Sequence, residues 1–144
     1  MEPNVKMLNP VTLAFMGDSV FEMLVRQYLI EKYGSMSPGK LHAMAVLFVK
    51  ASSQAKIIKA IMPSLTDDEV AVFKRGRNYK GVHAPKNADA AEYRYATGFE
   101  ALMGYLYLKG EQKRMIDLVR AGLISQGFIK NESDIRGQII SKSE

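Results

Sequence analysis

Leu13-Ala14-Phe15-Met16-Gly17-Asp18-Ser19-Val20-Phe21-Glu22 lies inside a longer run, bounded by Asn9-Pro10 and by Tyr33-Gly34, whose spacing decides the fold. Asparagine followed by proline is a helix N-cap with proline at the first helical position. Gly34 is a C-terminal stop. At about 100° per residue, Thr12, Ser19, Glu22 and Arg26 gather on one edge, with Asp18 just beside Glu22. The rest of the run is apolar almost all round, so the helix is expected to be buried on several sides. An aspartate in such a stretch is out of place.

The same reading extends outward. Ser37-Pro38 repeats the start signal, and the spacing predicts a second helix to Met62, where Pro63 ends it. Thr66-Asp67-Asp68-Glu69 fits a capping box opening a short helix that Gly76 and the basic stretch interrupt. Gly81 to Pro85 reads as loop. Asn87 is the expected cap of a helix from Ala88 to Leu108 stopped by Gly110, and a last helix covers Glu111 to Ser125. No stretch alternates as a strand would. The expectation is an all-α helical bundle over residues 1–126, followed by a polar tail, 127–144, with a feeble amphipathic pattern from Ser133 to Ile140.

At 144 residues the chain accommodates one domain with a sizeable core. It has no cysteine, which excludes a disulfide framework and a thiolate metal site. Met1-Glu2-Pro3-Asn4 does not open a secretory leader. The charge-free run from Met7 to Gly17 is far short of the roughly 20 apolar residues that cross a bilayer. A cytoplasmic protein without membrane contact is the expectation. The net charge of +5 and pI of about 9.4 suit a polyanionic partner. The distribution says more: between Glu69 and Asp89 there is no acidic residue, while Lys74, Arg75, Arg77, Lys80, Lys86 and His83 all fall there.

The predicted helix from Ala88 repeats the oddity of the first. From Ala96 to Leu108, glycines aside, only Thr97 and Glu100 lack an apolar or aromatic body. Gly98 and Gly104 would let another backbone approach closely. A carboxylate in such surroundings is costly to keep ionised, so it is protonated, paired with a base, or bound to a cation. Arg26 and Arg94 are available bases. If the two acids face one another, a hard divalent cation relieves their repulsion, and oxygen donors without cysteine point to Mg²⁺ or Mn²⁺ rather than zinc. Spacing alone leaves the ion pair and the metal both open.

These residues also carry a family likeness. Leu13 to Glu22 resembles the signature helix of the ribonuclease III catalytic domain, and Phe99-Glu-Ala-Leu-Met-Gly-Tyr-Leu-Tyr-Leu108 resembles its second acidic helix. Lys74-Arg-Gly-Arg-Asn78, Pro85-Lys-Asn87 and Tyr93-Arg-Tyr-Ala-Thr97 are similar to the Mini-III branch, which has the catalytic domain without an appended double-stranded RNA-binding domain. The resemblance implies a homodimer of all-α subunits. Each subunit would hold a Mg²⁺-dependent site, with Asp18 and Glu100 as metal ligands and catalytic residues. It further implies double-stranded RNA as substrate, cut to 5′-phosphate and 3′-hydroxyl ends by a metal-activated water. In that branch the substrate is precursor 23S, the large-subunit ribosomal RNA, with a ribosomal protein as a possible partner on it. The chain departs from full-length ribonuclease III enzymes at Val11 and Ala14, where those carry glutamates, and at Thr97, where they carry an aspartate. Asp18 and Glu100 are therefore expected to do nearly all the metal binding, with water, Thr97 or a backbone carbonyl filling other positions.

Arg75, Arg77, Asn78, Lys80, Lys86 and Arg94 are the expected RNA contacts, because double-stranded RNA is read mainly by shape through phosphate and 2′-hydroxyl groups. Glu22 is expected to stand behind the ligands or to be structural, and Thr97 to stand behind them where it does not fill a vacant position. Two rival readings accompany the nuclease: a non-catalytic double-stranded RNA-binding dimer of the same fold, and a helical interaction module with its acids in structural ion pairs.

Overall fold

A computed structural model describes residues 4–81 and 83–129. Among the described residues every regular element is helical. A 3₁₀ turn at Val5–Met7 precedes α1 (Pro10–Tyr33), α2 (Pro38–Val49), α3 (Ala51–Ile61), a second 3₁₀ turn, α4 (Asp67–Arg77), α5 (Ala90–Leu108) and α6 (Gln112–Ser125). None of these helices is long and apolar enough to cross a membrane.

The local signals operate as chemistry requires. Asn9 Oδ1 accepts from the Val11 N–H at 2.7 Å, with Pro10 opening α1. Thr66 and Glu69 form the reciprocal capping box of α4: the Glu69 N–H donates to Thr66 Oγ1 at 3.2 Å and the Thr66 N–H to Glu69 Oε1 at 2.9 Å.

Three boundaries differ from the sequence reading. The long second helix is two helices, broken at Lys50, which is extended at φ −64°, ψ 156°. Neither proline nor glycine causes the break. Side chains from the start of α3 replace the lost backbone bonds: Ser53 Oγ donates to the Leu47 carbonyl at 2.6 Å and Gln54 Nε2 to the Val49 carbonyl at 2.8 Å. Second, Asp89 rather than Asn87 caps α5, accepting from the Glu92 N–H at 3.0 Å. Asn87 has φ +72°, a left-handed conformation that asparagine tolerates in turns. Third, Phe128 and Ile129 belong to the core rather than to a polar tail. Gly127, at φ +78°, turns the chain back after α6, and its N–H and that of Phe128 bond the Ile124 and Leu123 carbonyls, each at 3.0 Å. Phe128 then lies 4.4 Å from the Phe48 ring, between centroids, and Ile129 is buried. The remainder of that expected tail, with its pattern from Ser133 to Ile140, lies outside the described residues.

Helix α5 is the axis of the molecule. From Ala96 to Leu106 it is buried at every position but Glu100, and α1, α3 and α4 pack around it with α6 behind. Phe21 of α1 meets Phe99 of α5 edge to face, centroids 5.1 Å apart. Below them the two helices touch main chain to main chain. A Cβ at Gly17 would lie 1.8 Å from the Glu100 carbonyl oxygen, and one at Gly104 1.9 Å from that of Leu13. Only glycine permits this approach, and the approach sets the distance between the acids the two helices carry.

Candidate active site

Asp18 projects from the solvent-facing side of α1 immediately after Gly17, and Glu100 stands half-buried on α5 opposite it. Their carboxyls come within hydrogen-bonding reach. Burial first, and the Asp18 charge second, push the Glu100 carboxyl up to about 8, while a hydrogen bond from Gln54 partly offsets the rise. No cation is among the groups acting on Glu100. The Arg26 guanidinium bridges instead to Glu22, at 3.0 Å across one helical turn. Arg94 lies exposed on α5 upstream of Glu100.

Gln54 is the residue that sequence reasoning missed. It is 3% exposed, and its Nε2 donates both to Glu100 Oε2 at 3.2 Å and to the Val49 carbonyl at 2.8 Å. Its Oε1 is buried without a hydrogen-bond partner among the described residues. No signal in the chain pointed to it, because it falls in a stretch whose apolar continuity reads as one unbroken helix.

The other predicted residues divide. Glu22 takes part in the surface pair with Arg26 rather than in the acidic pair, although both line the open groove along α1 with Asp18 and Ser19. Thr97 is buried and its hydroxyl donates to the Tyr93 carbonyl one turn back, at 2.9 Å. Arg75 is engaged within the protein. Its guanidinium donates to the carbonyls of Lys6 and Leu8, the latter at 3.0 Å, and so ties the N-terminal segment to α4. Arg77 lies against the Phe73 and Tyr95 rings, 5.4 and 5.7 Å from their centroids, with its Nε on Asn78 Oδ1 at 3.0 Å. Lys59 of α3 sits over the same Tyr95 ring at 4.8 Å. Asn78, Lys80, His83 and Lys86 are exposed.

Among the described residues no three of His, Cys, Asp and Glu cluster as a metal cage. The site is a two-carboxylate one. Its donors are hard oxygens, held close enough to repel, with an uncharged amide and, among the described residues, no base beside them. That set fits a divalent cation that completes its shell with oxygens from outside the protein. It does not fit zinc.

Residues 11–111 match the Ribonuclease III domain family. A Mini-ribonuclease 3 of Symbiobacterium thermophilum is 48% identical over 114 residues, covering 79% of this chain and 87% of the relative. A Mini-ribonuclease 3 of Brevibacillus brevis is 45% identical over 119 residues, covering 83% and 87%. A crystallised protein of Fusobacterium nucleatum has the same fold, with a TM-score of 0.76 at 25% identity over 89% of this chain and all of that one.

Proposed function

The chain belongs to the ribonuclease III family, on its Mini-ribonuclease 3 branch, and is an endoribonuclease; from that premise we propose that it cuts double-stranded RNA, using Mg²⁺ or Mn²⁺ held by Asp18 and Glu100. One observation carries the reading. Two carboxyls from different helices meet with, among the described residues, no base between them, and the half-buried one holds its proton up to about 8.

When bound, the cation lowers the pKa of water and neutralises charge developing on the phosphate oxygens. The protein's own groups do the rest. Asp18 and Glu100 would hold that cation at the crossing of α1 and α5, where the reacting phosphodiester meets it. Gln54 keeps its N–H on Glu100 Oε2. Water adds to phosphorus, the bond to the 3′ oxygen breaks, and that oxygen takes a proton, so the ends are 5′-phosphate and 3′-hydroxyl. Arg77, Asn78, Lys80, Lys86 and Arg94 engage phosphates and 2′-hydroxyls outside the cut. Arg75 is left out of this set because carbonyls of the N-terminal segment occupy its guanidinium.

The protein acts as a homodimer in this reading. Val11, Phe15, Met23 and Ile30 of α1 are exposed, Phe15 at 80%, and a second copy would cover them. The biological substrate is precursor 23S ribosomal RNA in the cytoplasm, with a ribosomal protein as a possible partner on it, following the Mini-III resemblance. The test is direct: long double-stranded RNA is incubated with the protein in Mg²⁺ or in chelator, beside Asp18→Asn and Glu100→Gln. Cutting should need the metal and both acids. RNA left intact by the wild type in Mg²⁺ at low salt would refute the reading, and cutting that survives both substitutions would relocate the site.

A further inference from the structure

We propose that Gln54 is a positioning residue of this site, an uncharged strut that holds the Glu100 carboxylate in the orientation that receives the cation. The inference rests on the metal reading of Asp18 and Glu100 given above.

Its geometry is that of a brace. The chain breaks at Lys50 between α2 and α3, and Gln54 uses one amide nitrogen to join that break to the site: Nε2 donates to Val49 O at 2.8 Å and to Glu100 Oε2 at 3.2 Å. The amide nitrogen has two hydrogens, and these two bonds use both. The orientation follows without a choice. Turning the amide over would aim Oε1 at the Val49 carbonyl, an acceptor that it cannot bond. With the nitrogen so committed, Oε1 is buried with no partner among the described residues. A buried unpaired acceptor is a cost that an apolar side chain of the same size would not incur, so the amide is held there by what its nitrogen does.

The chemistry of the site favours this arrangement over a charged one. A lysine or arginine in place of Gln54 would neutralise Glu100 and compete with a cation for it. An amide fixes one carboxylate oxygen and leaves the negative charge in place. Groups that orient a metal ligand through such a bond typically change metal affinity by about 10–100-fold when removed. In a site with only two carboxylates, one of them loosened, the loss should be at the upper part of that range.

Ser53 supplies the control. It makes the neighbouring bond at the same break, Oγ to Leu47 O at 2.6 Å, and has no bond to either acid. Mn²⁺ binding to the full chain, without RNA, is measured by electron paramagnetic resonance for wild type, Gln54→Met, Gln54→Asn and Ser53→Ala, with thermal unfolding followed by circular dichroism. Methionine keeps the length and removes the donor; asparagine keeps the amide but is too short to span both acceptors. Both Gln54 variants should bind Mn²⁺ more weakly by a factor approaching about 100, and in cleavage should lower kcat at unchanged KM for RNA. Ser53→Ala should lose thermal stability and keep wild-type Mn²⁺ affinity. Unchanged affinity in either folded Gln54 variant, or an equal loss in Ser53→Ala, overturns the inference while leaving the metal reading intact. A wild type that binds no Mn²⁺ overturns both.

Discussion

The backbone of Gly17 lies against the carbonyl of Glu100 so closely that a methyl group there would come within 1.8 Å of the oxygen. Asp18 follows Gly17 directly, so the contact that joins α1 to α5 also brings the two acids together.

Gly17→Ala should therefore damage the site and the fold at once. The clash is with main chain, which cannot swing aside, so the helices must separate. The expected loss is about 3 kcal/mol, at the upper end of ordinary overpacking, with cation affinity and cleavage falling together. Chemical denaturation beside Mn²⁺ titration checks it; a variant of wild-type stability would mean that the helices cross less closely than described.

Glu100→Gln should remove a pH dependence. The folded carboxyl titrates at about 8 against 4.5 for the unfolded group, so between those values the folded state holds the extra proton. Stability then falls as pH rises through that window, by at most about 1.4 kcal/mol per pH unit for this one group. Denaturation of the metal-free protein at pH 5 and pH 8.5 should show a smaller decline in Glu100→Gln than in wild type. Equal declines would count against the burial assigned to Glu100.

Cation binding should run the other way. The ion must displace the Glu100 proton, so affinity should climb as pH rises towards about 8 and level off above it. Calorimetry in buffers of different ionisation enthalpy would register close to one proton released per ion near pH 7. Binding that is flat from pH 6 to pH 9 would show that Glu100 is ionised without the metal.

Arg114→Met should destabilise without touching the chemistry. Arg114 donates to Glu69 Oε1 at 2.8 Å, Glu69 Oε2 at 2.9 Å and Ser64 O at 2.7 Å, and its hydrogen bonds hold the Glu69 carboxyl below its ordinary range. Unpairing a buried carboxylate costs about 3 kcal/mol. The wild-type pair is stabilising above the ordinary glutamate pKa of 4.5 and is lost as pH falls through the lowered one. Thermal melts at neutral pH should therefore separate the variant from wild type, and kcat at a permissive temperature should not.

Arg75→Ala and Arg77→Ala should part company. Arg75 holds the carbonyls of Lys6 and Leu8, so its loss should lower the melting temperature with little change in the salt dependence of RNA binding. Arg77→Ala should weaken binding and reduce the magnitude of the salt slope by roughly one. Filter binding over a salt series distinguishes them; identical slopes for the two variants would sink the assignment.

Much of this protein is written locally in its chain. Caps such as Asn9-Pro10 and Thr66 with Glu69 act within three or four residues, and helical period marks Asp18 and Glu100 as acids among apolar neighbours. Such signals are complete before any tertiary contact forms, so the all-α fold and the two out-of-place acids, though not their meeting, were legible in the sequence. What the pair does to itself was not. Two bases were available to it on paper, and only the packed structure turns Arg26 to Glu22 and leaves Glu100 facing Asp18. The break at Lys50 has no proline or glycine to announce it, because it is stabilised by side chains bonding carbonyls five and six residues back. Gln54 gains its place at Glu100 across 46 positions of sequence, and Arg75 its N-terminal carbonyls across more than 60. Contacts of that reach depend on which helix crosses which, and at what distance. Gly17 and Gly104 set that distance, and it is a property of two packed backbones rather than of either segment alone.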